Sequence, residues 1–287
     1  MCLASAGCTP QVGWSTEPDP FSHRLLSRHD AYYEYQPLDL YLVTVNESEA
    51  PRNLGLQDRG GYLILHAITD NDEALWPRVA IEQDVVGQQV MPREPVDLRL
   101  TDSSGEARLT RPGTWVVSYR YYQETGKRSK FLFTTEDIHL QCVSQPLNLP
   151  EGTPPEVEGA MKALLAAPAH DYISKYPSWT RVNSSAPTAR LRELGALAAP
   201  ALMANLDHYR LRPAVIQLLA DLRYAPAVPR LLAMLRMNES TQDRLILSAL
   251  ASITGLSEGF ELYRRWDTAE GKEDALAAYR AWAAKNR

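Results

Sequence analysis

Cysteine is scarce in this chain of 287 residues, and the three that it has are Cys2, Cys8 and Cys142. An odd and sparse set excludes a small disulfide-stapled domain, and the spacing contains no CxxC pair of the kind that holds structural zinc. Cys142 ends a predicted strand, where a lone cysteine usually acts as a small buried apolar residue. We therefore expect neither a disulfide framework nor a thiolate metal site.

Long apolar runs and basic stripes are also absent. No segment approaches about 18 consecutive apolar residues, the length that a membrane-spanning helix requires. The formal net charge is -5, and the basic residues are scattered apart from a short GKRSK cluster at 126–130. General binding to nucleic acid calls for a basic stripe along one face. We expect no membrane span and no nucleic-acid partner.

The motifs of common enzymes are missing as well. The chain has no G-x-S-x-G elbow for a serine nucleophile, and nothing in the sequence places its His29–Asp30 and His170–Asp171 pairs on one helical bundle with further metal ligands. The acidic run Asp70–Glu73 offers oxygen ligands for calcium but lacks the glycine and distal glutamate of an EF-hand loop, which favours a solvated turn. The sequence predicts no catalytic residue, no cofactor and no metal site, and therefore a protein that is not an enzyme.

The N-terminal residues MCLASAGC end in small residues before Cys8, as in the export signal of a lipid-modified protein. No basic region and no apolar run precede that cysteine, so the stretch as written would not direct export. Two interpretations stay open. The small residues occur there by chance, or they are the remainder of an export signal that begins outside this sequence.

The composition that the chain does have is that of a folded protein, with 45% apolar and 23% charged residues, and its length suits two domains. Apolar and polar residues alternate between Tyr32 and Val143, a pattern typical of half-buried antiparallel strands. Leu38, Leu40 and Leu42, for example, share one face of a predicted strand. Such strands recur at short intervals with no helical pattern between them, which predicts a β-sandwich.

One strand in this region carries a family resemblance. In RPGTWVVSYRYY, at 111–122, Trp115, Val117 and Tyr119 share the face that we expect to fill the core. Together with TTEDIHL, at 134–140, this strand resembles the Ig-like β-sandwich domains of bacterial exported and surface proteins. The resemblance covers residues 30–145. It implies the fold and assigns no role to any residue.

A stretch rich in proline and glycine, QPLNLPEGTPPEVEG, follows the last predicted strand, and beyond it the composition changes to alanine and leucine. Proline lacks a backbone donor and has a fixed φ, so we expect this stretch neither to continue a sheet nor to start a helix early. The predicted organisation is therefore an N-terminal leader at 1–29, a β-sandwich at 30–145, a linker at 146–158 and a helical domain at 159–287.

Apolar residues of the helical domain recur at intervals of three and four, as at Leu191, Leu194 and Leu197, which predicts single faces of amphipathic helices. The domain also contains an internal repeat. Residues 199–206 read APALMANL and residues 228–235 read VPRLLAML, which matches Pro200 with Pro229 and Leu202 with Leu231. A period of about 30 residues indicates one helix pair per repeat, each pair stacked on its neighbour. Proline suits the first turn of the second helix, because its missing N–H would be unpaired there.

The repeat resembles short HEAT-like repeats of the phycobilin-lyase type, whose L-G-x-x-A-x-P-x-L-x-x-x-L core is matched from Leu194 to Leu206. The second unit departs from the pattern, with Arg223–Tyr224 where a small glycine would lie, and Trp266 and Trp282 resemble a terminal cap. The predicted fold class is thus multidomain, all-β plus all-α, with an N-terminal antiparallel β-sandwich followed by a short α-solenoid of HEAT-like helix pairs.

Stacked helix pairs present an extended surface to other proteins, so we expect a non-enzymatic binding or scaffold protein. Its place would be the bacterial cell envelope, in the periplasm or at the cell surface, or the cytoplasm if the N-terminus is native. Surface aromatic residues and arginines are typical anchors for ligands. The candidate binding residues are Tyr41, Arg120, Tyr122, Tyr209 and Arg212.

Two alternative functions stay open. The first is a carbohydrate-binding accessory protein that uses the aromatic residues of the predicted sandwich, with a glycan as its partner. The second is a lyase or hydrolase whose site lies between the two domains.

Overall fold

The computed structural model describes residues 20–54, 61–67, 80–81, 88–101, 107–125, 128–167, 185–235, 241–256 and 269–286 of the chain. Strands lie in the first half and helices in the second. The protein is therefore of a mixed β plus α class, with largely antiparallel sheets followed by helices.

Eleven strands lie within these ranges. They are β1 (Phe21–Ser27), β2 (Ala31–Tyr33), β3 (Leu40–Asn46), β4 (Arg52–Leu54), β5 (Gly61–Ala67), β6 (Ala80–Ile81), β7 (Gln88–Val90), β8 (Pro95–Thr101), β9 (Gly113–Thr125), β10 (Arg128–Thr134) and β11 (Ile138–Val143).

The strands form two larger sheets and one small pair. The first sheet has the order β1-β3-β8-β6 and is antiparallel throughout. The second has the order β10-β9-β11-β2, with β5 also paired to β9, while β4 and β7 pair separately. One pairing differs from the predicted antiparallel pattern, because β2 runs parallel to β11.

Both larger sheets contribute to one apolar cluster. Leu42 of β3, from the first sheet, lies in it with Trp115, Val117 and Tyr119 of β9, from the second, and all four are at most 1% exposed. Successive side chains of a strand point to opposite faces, which is why alternation predicts them. The indole N–H of Trp115 donates to the carbonyl oxygen of Arg111 at 3.0 Å, so the ring is buried without an unpaired donor. The burial predicted for the three β9 residues is confirmed.

Strand β1 lies within the segment 1–29 that the sequence predicts as a leader. It pairs with β3 over its whole length, from Phe21 opposite Asn46 to Ser27 opposite Leu40. Leu25 is the one residue of β1 that is fully buried, and the others are half-buried or exposed. The strand therefore has little of the alternation on which a strand prediction depends.

Seven α-helices lie in the described part of the second half. They are α1 (Pro155–Ala166), α2 (Ala186–Leu194), α3 (Ala199–Ala204), α4 (Arg212–Asp221), α5 (Val228–Met234), α6 (Thr241–Thr254) and α7 (Ala269–Lys285). Short 3-10 helices precede α3, at Gly195–Leu197, and α5, at Ala225–Ala227.

Helix α1 begins inside the predicted linker 146–158. Its first residue is Pro155, and Glu156 and Glu158 lie in its first turn. Proline blocks the interior of a helix but suits its first position, and acidic side chains near the N-terminus interact favourably with the helix dipole. The expectation that the proline-rich stretch cannot start a helix therefore differs from the structure, because it applied the interior rule to a helix start.

The repeated sequence forms two similar units, α2 with α3 and α4 with α5. Pro200 and Pro229 both lie in the first turn of the second helix, and Leu202 and Leu231 are both completely buried. The burial of the two units differs at the last leucine of the repeat. Leu206 is buried, whereas Leu235, its equivalent, is half-buried.

Leu197 is the clearest departure from the predicted helical faces. The spacing places it on one face with Leu191 and Leu194, but it is 61% exposed. Helix α2 ends at Leu194, and Gly195 follows with a φ of +56°. The chain therefore leaves the 3.6-residue period before it reaches Leu197, and this leucine projects from the turn between the two helices.

The helices pack in a regular order. Helix α4 contacts α2 on one side and α6 on the other, while α5 contacts α6 and α7. Ion pairs join neighbouring units as well: Arg192 of α2 bonds Asp221 at the end of α4 at 2.7 Å, and Arg230 of α5 bonds Asp207, which follows α3. Across the described ranges, no helix is both long and apolar enough to cross a membrane.

Candidate functional site

The two halves of the chain meet at a polar contact that we call the junction. On its first side are the end of β2 and the residues that follow β11, and on its second side is the loop between α3 and α4. Its members are Tyr33, Glu34, residues 144–149 and residues 205–211.

An ion pair with a buried carboxylate crosses the junction. Nη1 of Arg210 donates to Oε1 of Glu34 at 3.0 Å, and Nη2 of the same guanidinium donates to the carbonyl oxygen of Ala167, just after α1, at 3.0 Å. Glu34 is 3% exposed. Its backbone N–H donates to the carbonyl oxygen of Val143 at 3.1 Å, which extends the parallel pairing of β2 and β11. Arg210 thus connects three separate parts of the chain.

Asn205 anchors the segment after β11 to the helices. Its Oδ1 accepts from the backbone N–H of Asn148 at 2.9 Å, and its Nδ2 donates to the carbonyl oxygen of the same residue at 2.6 Å. Nδ2 also donates to the carbonyl oxygen of Ala201 at 2.8 Å. One buried amide therefore satisfies both backbone groups of Asn148, as a neighbouring strand would.

His208 lies at the centre of the junction and is 2% exposed. Its Nε2 is 2.9 Å from the carbonyl oxygen of Gln145. Since a carbonyl oxygen only accepts, Nε2 carries the proton and the neutral ring presents an unprotonated Nδ1. That Nδ1 is buried without a hydrogen-bond partner among the residues that the structure describes. Burial lowers the pKa of His208, and the charges of Arg210 and Arg212 act in the same direction.

Two of the predicted binding residues lie beside this histidine and contact each other. The guanidinium of Arg212 lies over the ring of Tyr209, 4.6 Å from its centroid, within the range of a cation–π interaction. Arg212 also donates to the carbonyl oxygens of Leu206 and Asp207, at 3.2 Å each, and to the side chain of Gln242 at 3.3 Å. Its geometry is that of a residue that holds the loop in place.

Apolar surface remains exposed on the outside of the junction. Tyr33, in β2, stacks against Tyr209 with ring centroids 6.5 Å apart and is itself 39% exposed. Val143 lies opposite Tyr33 in the parallel pairing and is 42% exposed. We call these three side chains the junction patch. It is formed by residues from both halves.

The other three predicted binding residues lie in the sheets. Tyr41, half-buried in β3, is paired with Leu26 of β1 on one side and Arg99 of β8 on the other. Arg120, also half-buried, and Tyr122 lie in β9, and the side chain of Tyr122 is outside the described part of the structure. The junction therefore brings together Tyr209 and Arg212 and does not include Tyr41, Arg120 or Tyr122.

Most residues considered for metal or nucleophilic chemistry lie outside the described ranges, namely the Asp70–Glu73 loop, the His170–Asp171 pair, Cys2 and Cys8. Within those ranges, no group of three or more His, Cys, Asp or Glu side chains is placed to hold a metal ion. Cys142 is buried as predicted. Burial, with a smaller contribution from the charge of Glu34, raises the pKa of its thiol to about 12.

Sequence reasoning missed the junction residues Glu34, Asn205, His208 and Arg210. No local signal marks Glu34. One weak signal marks the other three: a polar loop, NLDHYRLR at 205–212, interrupts two apolar helices. Their partners are backbone groups and a carboxylate on distant segments, so no spacing within the chain reveals the contacts.

Comparisons with known proteins identify no family. No family model matches the chain, and no curated protein does. Among solved structures, the chain is similar to Spo0M, a sporulation control protein from Bacillus subtilis, at 14% sequence identity and a TM-score of 0.25. The match covers 51% of this chain and 56% of that chain. A similarity this weak carries no argument about fold or function.

Proposed function

We propose that the protein is a non-enzymatic binding or scaffold protein of the bacterial cell envelope, whose helices hold a protein partner. In this proposal the two larger sheets form an Ig-like β-sandwich and the helices form a short HEAT-like solenoid. The junction connects them and gives the helical surface a defined orientation.

Contacts between the two sheets support the sandwich. His23 of β1, in the first sheet, stacks on Phe133 of β10, in the second, with ring centroids 3.7 Å apart. Phe133 in turn stacks on Tyr121 of β9 at 5.5 Å. These rings add to the apolar cluster that both sheets share, as the facing sheets of a sandwich do.

The packing order of the helices supports the solenoid. First helices of successive units contact each other, from α2 to α4 to α6, and α5 contacts α7. An ion pair joins neighbouring units on each side, Arg192 with Asp221 and Arg230 with Asp207. Each unit therefore packs mainly on its neighbours, which is the property that defines a repeat array.

The observation that carries the proposed function is the apolar surface left on the repeated units. Leu197 is largely exposed in the turn before α3, and Pro200 and Pro229 are exposed at equivalent positions of α3 and α5. Met203 and Leu232, also equivalent, are half-buried. Exposed apolar side chains that recur along a helical array are those that a protein partner would bury.

Affinity capture with the full chain tests this proposal. We expect a partner that co-purifies with the wild-type protein from its native host and is lost with Leu197→Asp. Leu26→Asp is the matched control, because Leu26 is a comparably exposed leucine of β1 in the first sheet, at 50%. Retention of the partner by Leu26→Asp and its loss with Leu197→Asp supports the proposal. The opposite pattern, or no specific partner at all, contradicts it.

Glycan binding is the second candidate function, and the exposed ring of Tyr33 favours it, since aromatic rings at a surface can stack on sugars. A glycan array probed with the wild-type chain and with Tyr33→Ala tests it. Binding that disappears in Tyr33→Ala and persists in Leu197→Asp would assign the sugar to the junction patch. An array with no signal for the wild-type chain would remove this candidate.

A further inference from the structure

We propose that the junction is an acid-sensitive joint, in which protonation of His208 at Nδ1 releases Gln145, and with it the strand half, from the loop 205–211. The proposal goes beyond partner binding and does not depend on it. It concerns a change within the chain itself, and it rests on the hydrogen bonding and charges around one buried imidazole.

The ring of His208 has room for only one proton in the closed junction. Its Nε2 donates to the carbonyl oxygen of Gln145 at 2.9 Å, and its Nδ1 is buried with no hydrogen-bond partner in the described part of the chain. A second proton would place an N–H donor at a buried position that makes no hydrogen bond in the closed junction. An unsatisfied buried donor that also carries charge is costly, so the protonated ring favours any state in which water reaches it.

The charges around the ring strengthen this effect. On its own loop are Asp207 and Arg210, on α4 is Arg212, and just after β2 is Glu34, which pairs with Arg210. The segment 144–149 contributes no titratable side chain. Both nearby carboxylates already have partners, since Asp207 bonds Arg230 and Glu34 bonds Arg210. An imidazolium would therefore meet Arg210 and Arg212 without a free carboxylate to balance it.

The sign of the pH dependence follows from the depressed pKa. In the open junction, His208 would titrate near its ordinary value of about 6.5, whereas burial keeps its pKa lower in the closed one. The open state therefore binds more protons as the pH falls below about 6.5, and the opening equilibrium constant rises by up to about tenfold per pH unit. The opening equilibrium constant stops rising once the pH falls below the pKa that His208 has in the closed junction.

The joint can open without unfolding either half, because each half has its own apolar cluster. Leu147 and Leu149 pack against the cluster of the helical half, so these residues and the bonds between Asn148 and Asn205 stay with the helices. The described contacts that join the strand half to the loop are few. They include the bond from His208 to the carbonyl oxygen of Gln145, the bond from the Tyr209 N–H to Oε1 of Gln145 at 2.9 Å, the Tyr33–Tyr209 ring contact and the Arg210–Glu34 pair. A region held by few apolar contacts opens at a lower free energy than a core. Opening would separate Tyr209 from Tyr33 and uncover the junction patch.

Distance measurements on the full chain test the proposal. Spin labels at Glu49→Cys in the strand half and Ala233→Cys on α5 occupy exposed positions, in a chain that also carries Cys2→Ser and Cys8→Ser. We expect a second, broader distance population that grows between about pH 7.5 and about pH 5.5, with an open-to-closed ratio that rises up to about tenfold. A distribution that does not change over this range would overturn the proposal.

Two variants identify the group responsible. His208→Gln keeps a side-chain N–H that can donate to the Gln145 carbonyl oxygen but cannot take up a proton, so we expect its distances to be independent of pH. Glu34→Gln removes the carboxylate that pairs with Arg210 while leaving His208 in place, so we expect its acid response to persist. An acid response that survives in His208→Gln and vanishes in Glu34→Gln would assign the effect to the ion pair and contradict the proposal.

Hydrogen exchange on the wild-type chain gives a test that needs no variant. The amide of Tyr209 donates across the junction, to Gln145, whereas the amides of Asn148 and Val215 donate to Asn205 and Leu211 on the helical side. We expect the protection factor of Tyr209 to fall on acidification while those of Asn148 and Val215 stay constant. Equal changes at all three amides would indicate general unfolding and would overturn the proposal.

Discussion

Arg210 and Glu34 are 176 residues apart in the chain, and their side chains meet at 3.0 Å in the junction. The carboxylate of Glu34 is almost completely buried, while the arginine is about one-fifth exposed. No other described ion pair joins the strand half to the helical half. We therefore expect this pair to contribute to the free energy of unfolding, and variants of its two residues measure that contribution.

Removal of either partner should destabilise the protein. We expect Glu34→Gln and Arg210→Met each to lower the free energy of unfolding by about 2–3 kcal/mol, because each leaves a poorly solvated charge without its counterion. We expect the double variant to lose much less than the sum of the two. Urea unfolding of the four proteins measures these free energies and the coupling between the residues.

Glu158 and Lys162 of α1 form the matched control, because they are an exposed ion pair one helical turn apart. Their coupling should be at most about 0.5 kcal/mol. A coupling for Arg210 and Glu34 that is no larger than this one would show that the junction pair contributes only as a surface pair does.

A second prediction concerns Arg223, which has a φ of +47° after α4. The N–H of Tyr224 bonds the carbonyl oxygen of Leu219 and that of Arg223 bonds Ala220, both at 3.0 Å, which is the Schellman pattern with Arg223 at the position that favours glycine. We expect Arg223→Gly to raise the free energy of unfolding by about 1 kcal/mol, because it removes the strain of a left-handed non-glycine residue. Thermal unfolding measures the change.

Gly195 provides the reverse experiment. It follows α2 directly, with a φ of +56° and a ψ of -127°, and a Cβ there would contact nothing within 4 Å. Any loss in Gly195→Ala therefore reports backbone strain alone, and we expect about 1–3 kcal/mol. Stabilisation of Gly195→Ala, or destabilisation of Arg223→Gly, would contradict this explanation of the two turns.

A third prediction concerns alkaline pH. The folded thiol of Cys142 has a pKa of about 12, against an ordinary value of 9.0. Above pH 9 the unfolded chain loses this proton while the folded chain retains it, so the stability associated with the buried thiol is lost as the pH rises toward 12. We expect Cys142→Ala to lose less stability than the wild-type protein between about pH 8 and about pH 10.

Urea midpoints at the two pH values measure this difference, in chains that carry Cys2→Ser and Cys8→Ser so that only one thiol remains. Lysines and tyrosines titrate equally in both chains and cancel in the comparison. If both chains lost the same stability on alkalinisation, Cys142 would not be the group responsible.

A fourth prediction compares the packing of the two repeated units at one equivalent leucine. Leu206 is buried, whereas Leu235, its equivalent, is half-buried. We expect Leu206→Ala to cost about 2–5 kcal/mol, the range for a buried leucine, and Leu235→Ala clearly less. Equal losses measured by urea unfolding would show that the two units pack alike at this position.

Periodicity in the sequence predicts the core well and the junction poorly. Trp115, Val117 and Tyr119 are buried as predicted, because alternation records directly which side of a strand faces the core. Leu197 is predicted on a buried face and is exposed, because Gly195 ends the helical period first. Strand β1 is not predicted at all, since pairing with β3 defines it more than its own pattern does.

The candidate site depends on long-range contacts that leave no local pattern. Tyr209 and Arg212 are predicted as binding residues from residue type alone, and the structure places them together. Arg212, however, donates to two backbone carbonyl oxygens and a glutamine, which sequence reasoning had no means to foresee. His208 and Asn205 bond backbone groups of Gln145 and Asn148, which lie 63 and 57 residues away in the chain.

The central claim is that the helical half holds a protein partner, and crosslinking in the native host tests it most directly. A photo-reactive residue at position 197 should give a discrete crosslinked species that contains a second protein, while the same residue at position 26 should give none, because the exposed leucine at 197 projects from the repeated helices. Crosslinks from position 26 but not from position 197 would contradict the account and transfer the binding surface to the strands.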